Sequence, residues 1–104
     1  MNKIDELNST VTDLRPDMVL VTETFCHNEI SDAYLQLDGY ELISDLRMDR
    51  VDTNMGRGGG IVVYVKTGLT IFKIDNLVLY NQYCSFRIYD ITIIVIYRSP
   101  NAPL

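Results

Sequence analysis

Hydrophobic positions open the chain at helical spacing. Ile4, Leu7, Val11 and Leu14 recur at steps of three and four, which places them on one stripe of an amphipathic helix. Asn2 can cap that helix, and Pro16 stops it, because the residue before proline avoids the α region. The period then changes. Residues 18–22 (Met-Val-Leu-Val-Thr) form a short run rich in β-branched residues that ends in Glu23, so a helix, a break and an apolar strand begin an α/β unit.

Residues 25–38 carry a weaker pattern, with one short helix near 31–35 that Ser31 could cap. Asp38-Gly39 signals a turn, residues 40–46 alternate loosely as a strand with one wet face, and the polar, glycine-rich 47–59 reads as a mobile loop. Residues 60–66 are strand-like, and Thr67-Gly68 turns into a second strand near 69–74. Residues 84–89 and 91–97 make a hairpin about Asp90. Three of these strands (18–22, 61–65 and 91–97) are apolar at successive positions instead of alternating. That pattern belongs to strands covered on both sides, as in a layered sandwich. The helix covers one face, and little else in the pattern is available to cover the other.

Composition narrows the class. The chain has 104 residues, of which 47% are hydrophobic and 22% charged, as expected for one globular domain and not for a disordered one. The longest apolar runs, 61–65 and 93–97, are far shorter than the ~20 residues of a membrane-spanning helix. No signal-peptide pattern opens the chain, so an intracellular protein, nuclear or cytoplasmic, is expected and the Asn8-Ser9-Thr10 sequon has no secretory context. Cys26 and Cys84 alone make neither a disulfide framework nor a four-ligand zinc site. The net charge of −5 is unevenly spread: −8 over residues 1–45 and +3 over residues 46–104. Only the second part could supply the local Lys and Arg excess that phosphate backbones require.

Candidate chemistry is sparse. Gly56-Arg57-Gly58-Gly59-Gly60 fails both phosphate-binding spacings, since Ile61 stands where a dinucleotide fingerprint needs glycine and Val65 where a P-loop does. Its simpler meaning is a glycine-permitted approach to a strand. Glu23 lies directly after an apolar strand, either as a solvated strand-end carboxylate or as an oxygen ligand for a hard cation such as Mg²⁺. His27, the only histidine, has no partner evident in the sequence and reads as a surface residue. Tyr97-Arg98-Ser99-Pro100-Asn101 ends a strand with a phenol, a guanidinium and an amide, suited to phosphate contacts or to an ordinary turn.

Four segments, in order, resemble endonuclease/exonuclease/phosphatase domains: Arg15-Pro-Asp-Met-Val-Leu-Val-Thr-Glu-Thr-Phe25, Gly39-Tyr40, Gly58-Gly-Gly-Ile-Val-Val-Tyr-Val-Lys66 and Val95-Ile-Tyr-Arg-Ser-Pro-Asn101. The likeness is strongest to the endonuclease domains of non-LTR (LINE-type) retrotransposons. It implies an α/β fold of the DNase I-like α/β/β/α sandwich type and hydrolysis of DNA phosphodiesters with Mg²⁺ or Mn²⁺. It further implies Glu23 as a metal ligand, Tyr97 and Asn101 as active-site residues near the scissile phosphate, and Arg98 and Arg57 as DNA contacts. Arg47 and Arg50, in the same polar segment as Arg57, are further candidates for DNA contact. The family's metal-binding asparagine, its Asp-x-Asn segment and its Ser-Asp-His segment have no counterpart in this sequence. The resulting expectation is a single incomplete domain over residues 1–104, with one mixed sheet, its helix, and an exposed sheet face through which the chain could self-associate. Such a fragment would be inactive alone. A non-catalytic binding or dimerisation module, or a phosphatase-type member of the superfamily, would share the same residues.

Overall fold

A computed structural model describes residues 3–24, 26–27, 29–49, 51–53, 56–74 and 82–97. Helix α1 (Lys3–Leu14) precedes eight strands: β1 (Met18–Thr22), β2 (Tyr40–Leu42), β3 (Val51–Thr53), β4 (Gly56–Gly58), β5 (Ile61–Lys66), β6 (Ile71–Lys73), β7 (Gln82–Ile88) and β8 (Ile91–Tyr97). Short 3₁₀ turns at Asp32–Leu35 and Ser44–Leu46 flank β2. The strands form a three-stranded sheet in the order β1-β5-β2, a β3-β4 ribbon and a second three-stranded sheet in the order β6-β7-β8, with every pairing antiparallel. The α/β class follows directly. The expected single mixed sheet is replaced by two antiparallel sheets that face each other.

Strand β5 explains that arrangement. Its side chains alternate between two cores, and residues 61 to 65 are all buried. Val62 and Tyr64 point toward α1, where they meet Val11, Leu35, Leu37, Tyr40 and Leu42. Ile61, Val63 and Val65 point the other way, onto Cys84, Phe86 and Ile88 of β7. The cover for the second face of β5 therefore comes from within the chain, as the layers α1, first sheet, second sheet. The two cysteines are buried and free, one in each core.

The same alternation leaves β8 uncovered on one side. Ile93 and Val95 face the inter-sheet core, whereas Ile94 and Ile96 are 50% and 44% exposed. Phe72 of β6, opposite Arg87, is 66% exposed on that outer face as well. Two-sided burial thus holds for β5 and fails for β8. The apolar face expected to be open belongs to the second sheet, not the first.

Local expectations fare unevenly for physical reasons. Val11 is 3% exposed but Leu14 is 73% exposed, because Leu14 stands about 60° round the helix from Val11 and belongs to its last turn. Residues 47–59 are not simply a loop: Met48 pairs with Ile61, and β3 pairs with β4. The hairpin falls as expected, with Tyr89-Asp90 as its two-residue turn between Ile88 and Ile91.

Candidate functional site

Glu23 begins where β1 ends. The register sets Thr22 opposite Ile61, and the next backbone contact is the Thr24 N–H donated to the Gly60 carbonyl at 3.5 Å. Glu23 is exposed and adopts φ = +56°, a left-handed conformation that is unfavourable for a non-glycine side chain. Gly59 and Gly60, buried beside this turn, have φ of +97° and +103°. The glycine run therefore acts as a backbone device that enters β5 under the β1 exit, not as a phosphate loop. Arg15, after α1, and Tyr89, in the β7–β8 turn, share this backbone with φ of +50° and +53°, so the conformation singles out Glu23 only together with its place at the end of β1.

The two sheets bring Glu23 and Tyr97 to one end of the molecule. At the opposite end, the Tyr89 hydroxyl bonds Asp17 Oδ2 at 3.3 Å, and Lys66 Nζ lies 3.3 Å from Asp17 Oδ1. Strands β1 and β8 both run away from this junction, so their last residues emerge on the same side. A cleft of about 180 Å³ near that end is lined by Met48, which pairs with Ile61, and by Tyr83, which pairs with Ile96. The backbone of Tyr97 lies at the end of β8 and that of Arg57 in the middle of β4, opposite Asp52. The Tyr97 and Arg57 side chains, Arg50, and Arg98 and Asn101 entire, lie outside the described residues.

A second cleft, of about 690 Å³, opens between α1 and the first sheet. Its walls are largely apolar (Ile4, Leu7, Val21, Ile30 and Val62), with Glu6 and Glu23 among its lining residues. Tyr64 closes its floor, donating its hydroxyl to the Leu35 carbonyl at 2.6 Å. Burial raises that phenol to about 12.

Arg47 was a candidate for DNA contact, and its surroundings give it another task. Nη1 bonds Asp32 Oδ1 at 2.7 Å, Nε bonds Asp49 Oδ1 at 2.8 Å, and Nη2 donates to the His27 carbonyl at 2.9 Å. Its side chain is 12% exposed. Ser44 adds a hydroxyl bond to Asp32 Oδ2. The guanidinium thus fastens the 26–35 segment to the 44–49 segment, a fork geometry that lysine could not reproduce. The Ser44 hydroxyl first, then the Arg47 guanidinium, hold the Asp32 carboxyl below its usual range. Nothing in the sequence signals this cluster, because its members are scattered between positions 27 and 49 with no periodicity and meet only in the folded chain. His27 accepts the Glu29 backbone N–H on Nδ1 at 3.3 Å, a local loop bond.

For a divalent metal, the described residues gather no group of three or more His, Cys, Asp or Glu side chains. A single carboxylate such as Glu23 makes at most a weak site for a hydrated Mg²⁺. Among the described residues, no helix is long and apolar enough to cross a membrane. No family model matches this sequence, and no curated protein or solved structure matches it either.

Proposed function

We infer that the chain is the two-sheet portion of an endonuclease/exonuclease/phosphatase-type domain, of the LINE retrotransposon endonuclease kind. In this reading Glu23 contributes one carboxylate to a Mg²⁺ or Mn²⁺ site. Tyr97 and Asn101 sit near the scissile phosphate, and Arg98 and Arg57 contact DNA. A metal in such a site polarises the phosphodiester and stabilises the leaving oxygen. The observation that carries the reading is the placement of Glu23, at a strained strand end beside Gly59-Gly60 and at the same end of two facing sheets as Tyr97. The likeness of the four quoted segments supports it further.

The residues also set a limit. Phosphodiester hydrolysis of this type uses a carboxylate-oriented histidine as general base. The sequence has one histidine, His27, whose Nδ1 is engaged within its own loop. The chain is therefore a DNA-directed scaffold that does not cleave by itself. The test is nicking of supercoiled plasmid by the purified chain in Mg²⁺ or Mn²⁺, with Mn²⁺ broadening of backbone amide signals measured in parallel. The expected result is no nicking, and broadening centred on Glu23 at millimolar Mn²⁺ that Glu23→Ala removes. Robust nicking lost in Glu23→Ala would overturn the inactivity, and broadening centred elsewhere would overturn the metal assignment.

A further inference from the structure

Among the described residues, one edge of strand β8 has no strand beside it, and the polarity of that edge is known. Among the described residues it pairs with β7 alone, through a register in which Ile88 stands opposite Ile91 across the two-residue turn. So tight a turn requires Ile88 and Ile91 to exchange both of their backbone hydrogen bonds. From there the direction alternates. The N–H and C=O groups of Ile91, Ile93, Val95 and Tyr97 point to β7, and those of Thr92, Ile94 and Ile96 point away from it. The bond from the Ile74 N–H to the Ser85 carbonyl fits the same alternation, since it places the Ser85 backbone on the β6 side of β7.

We propose that this edge pairs antiparallel with β8 of a second copy, joining two three-stranded sheets into one continuous six-stranded sheet about a two-fold axis. Three observations single out a second copy as the partner. The strand reads Ile-Thr-Ile-Ile-Val-Ile-Tyr, without the charge or proline that ordinarily blocks a sheet edge. An antiparallel pair of identical strands is compatible with an isologous interface. The register that uses all seven residues sets Ile94 opposite its own copy and Thr92 opposite Ile96, so that every outward-pointing group finds a partner in about six hydrogen bonds.

The buried area is small. Pairing one strand edge and covering part of the half-exposed Ile94 and Ile96 removes on the order of 1,000 Å² in total, the low end for specific interfaces. An interface of that size belongs to the weak, transient class, so the dimer should dissociate on dilution. The contact takes in the backbone of Tyr97, at the end of the molecule that carries Glu23, but its test reads association and amide exchange and not metal or DNA, so the two readings fail separately.

Sedimentation equilibrium over a concentration series, combined with amide hydrogen exchange on the full chain, tests the proposal. At high concentration the amides of Thr92, Ile94 and Ile96 should be protected along with those of Ile93 and Val95. On dilution only the latter pair should stay protected. Ile94→Lys, which sets like charges face to face on the two-fold axis, should weaken association by about 10-fold. Ile94→Pro should do the same while leaving the ladder to β7 intact, because the lost N–H points away from β7. Phe72→Lys, on the same outer face but on β6, should leave the dimer unchanged. A chain monomeric at all concentrations, unprotected amides at 92, 94 and 96 in the dimer, or a dimer lost in Phe72→Lys and kept in Ile94→Lys would each overturn it.

Discussion

Replacing Phe86 by alanine measures how firmly the two sheets are joined. Phe86 is fully buried in the inter-sheet core, in register with Ile93 and Lys73 and packed among Ile61, Val63 and Val65. Burying a phenylalanine removes roughly 200 Å² from water, about 5 kcal/mol as an upper bound at ~25 cal/mol per Å². Truncation to alanine keeps part of that and leaves a cavity, so the expected loss is about 3–5 kcal/mol. Phe72 provides the control. It lies on the outer face of the same sheet at 66% exposure, and Phe72→Ala should cost less than about 1 kcal/mol. Urea and thermal unfolding followed by circular dichroism read both variants, and the midpoint temperature of Phe86→Ala should fall by more than about 10 °C. Total stability for such a domain is only about 5–15 kcal/mol. Phe86→Leu, with an expected cost of about 1 kcal/mol, keeps the comparison measurable if the alanine variant is largely unfolded. Equal and small costs for Phe86→Ala and Phe72→Ala would refute the facing of the two sheets.

Two further outcomes follow from buried polar groups. Tyr64→Phe should destabilise by about 1 kcal/mol through the lost bond to the Leu35 carbonyl. The raised Tyr64 phenol also favours the folded state below pH ~10, and that contribution should decline as pH rises toward about 12, readable as late tyrosine ionisation by ultraviolet titration. Asp32 has the opposite sign: its lowered carboxyl stabilises the fold above pH ~4 and loses that effect as pH falls through its folded value. Asp32→Asn should therefore flatten the acid limb of a stability-against-pH curve, and an unchanged limb would show that the Arg47 cluster adds nothing.

What the sequence made legible was local. The period of residues 4–11 and the run 18–22 gave α1 and β1, since each depends on near neighbours and on Pro16 between them. The strand at 61–65 announced burial on both faces, and it has it. Which strand covers which could not be read, because apolar spacing in 84–88 says that Phe86 is buried without saying against what. That is why the second face of the sheet is expected to be open, when β7 covers it. Residues 47–59 defeated the pattern for a related reason: their order depends on Met48 reaching Ile61 and on Arg47 reaching Asp32, contacts with no periodicity to betray them. At the candidate site, position alone marked Glu23. Its left-handed backbone, beside the Gly59-Gly60 approach to β5, is a conformation that no local pattern announces.

The central place of β5 also dictates an order of assembly. The β7–β8 hairpin closes across Tyr89-Asp90, a loop short enough to form on the microsecond scale. Pairing of β1 with β5 must instead bring Met18 to Val65, at the larger entropic cost of a long closed loop. Non-local pairings of that kind slow folding. During that interval the hairpin is complete while the strand that will cover its inner face is not yet in place. Both faces of an isoleucine-rich ribbon are then open to water, so a refolding chain is most vulnerable to misassembly before β5 docks.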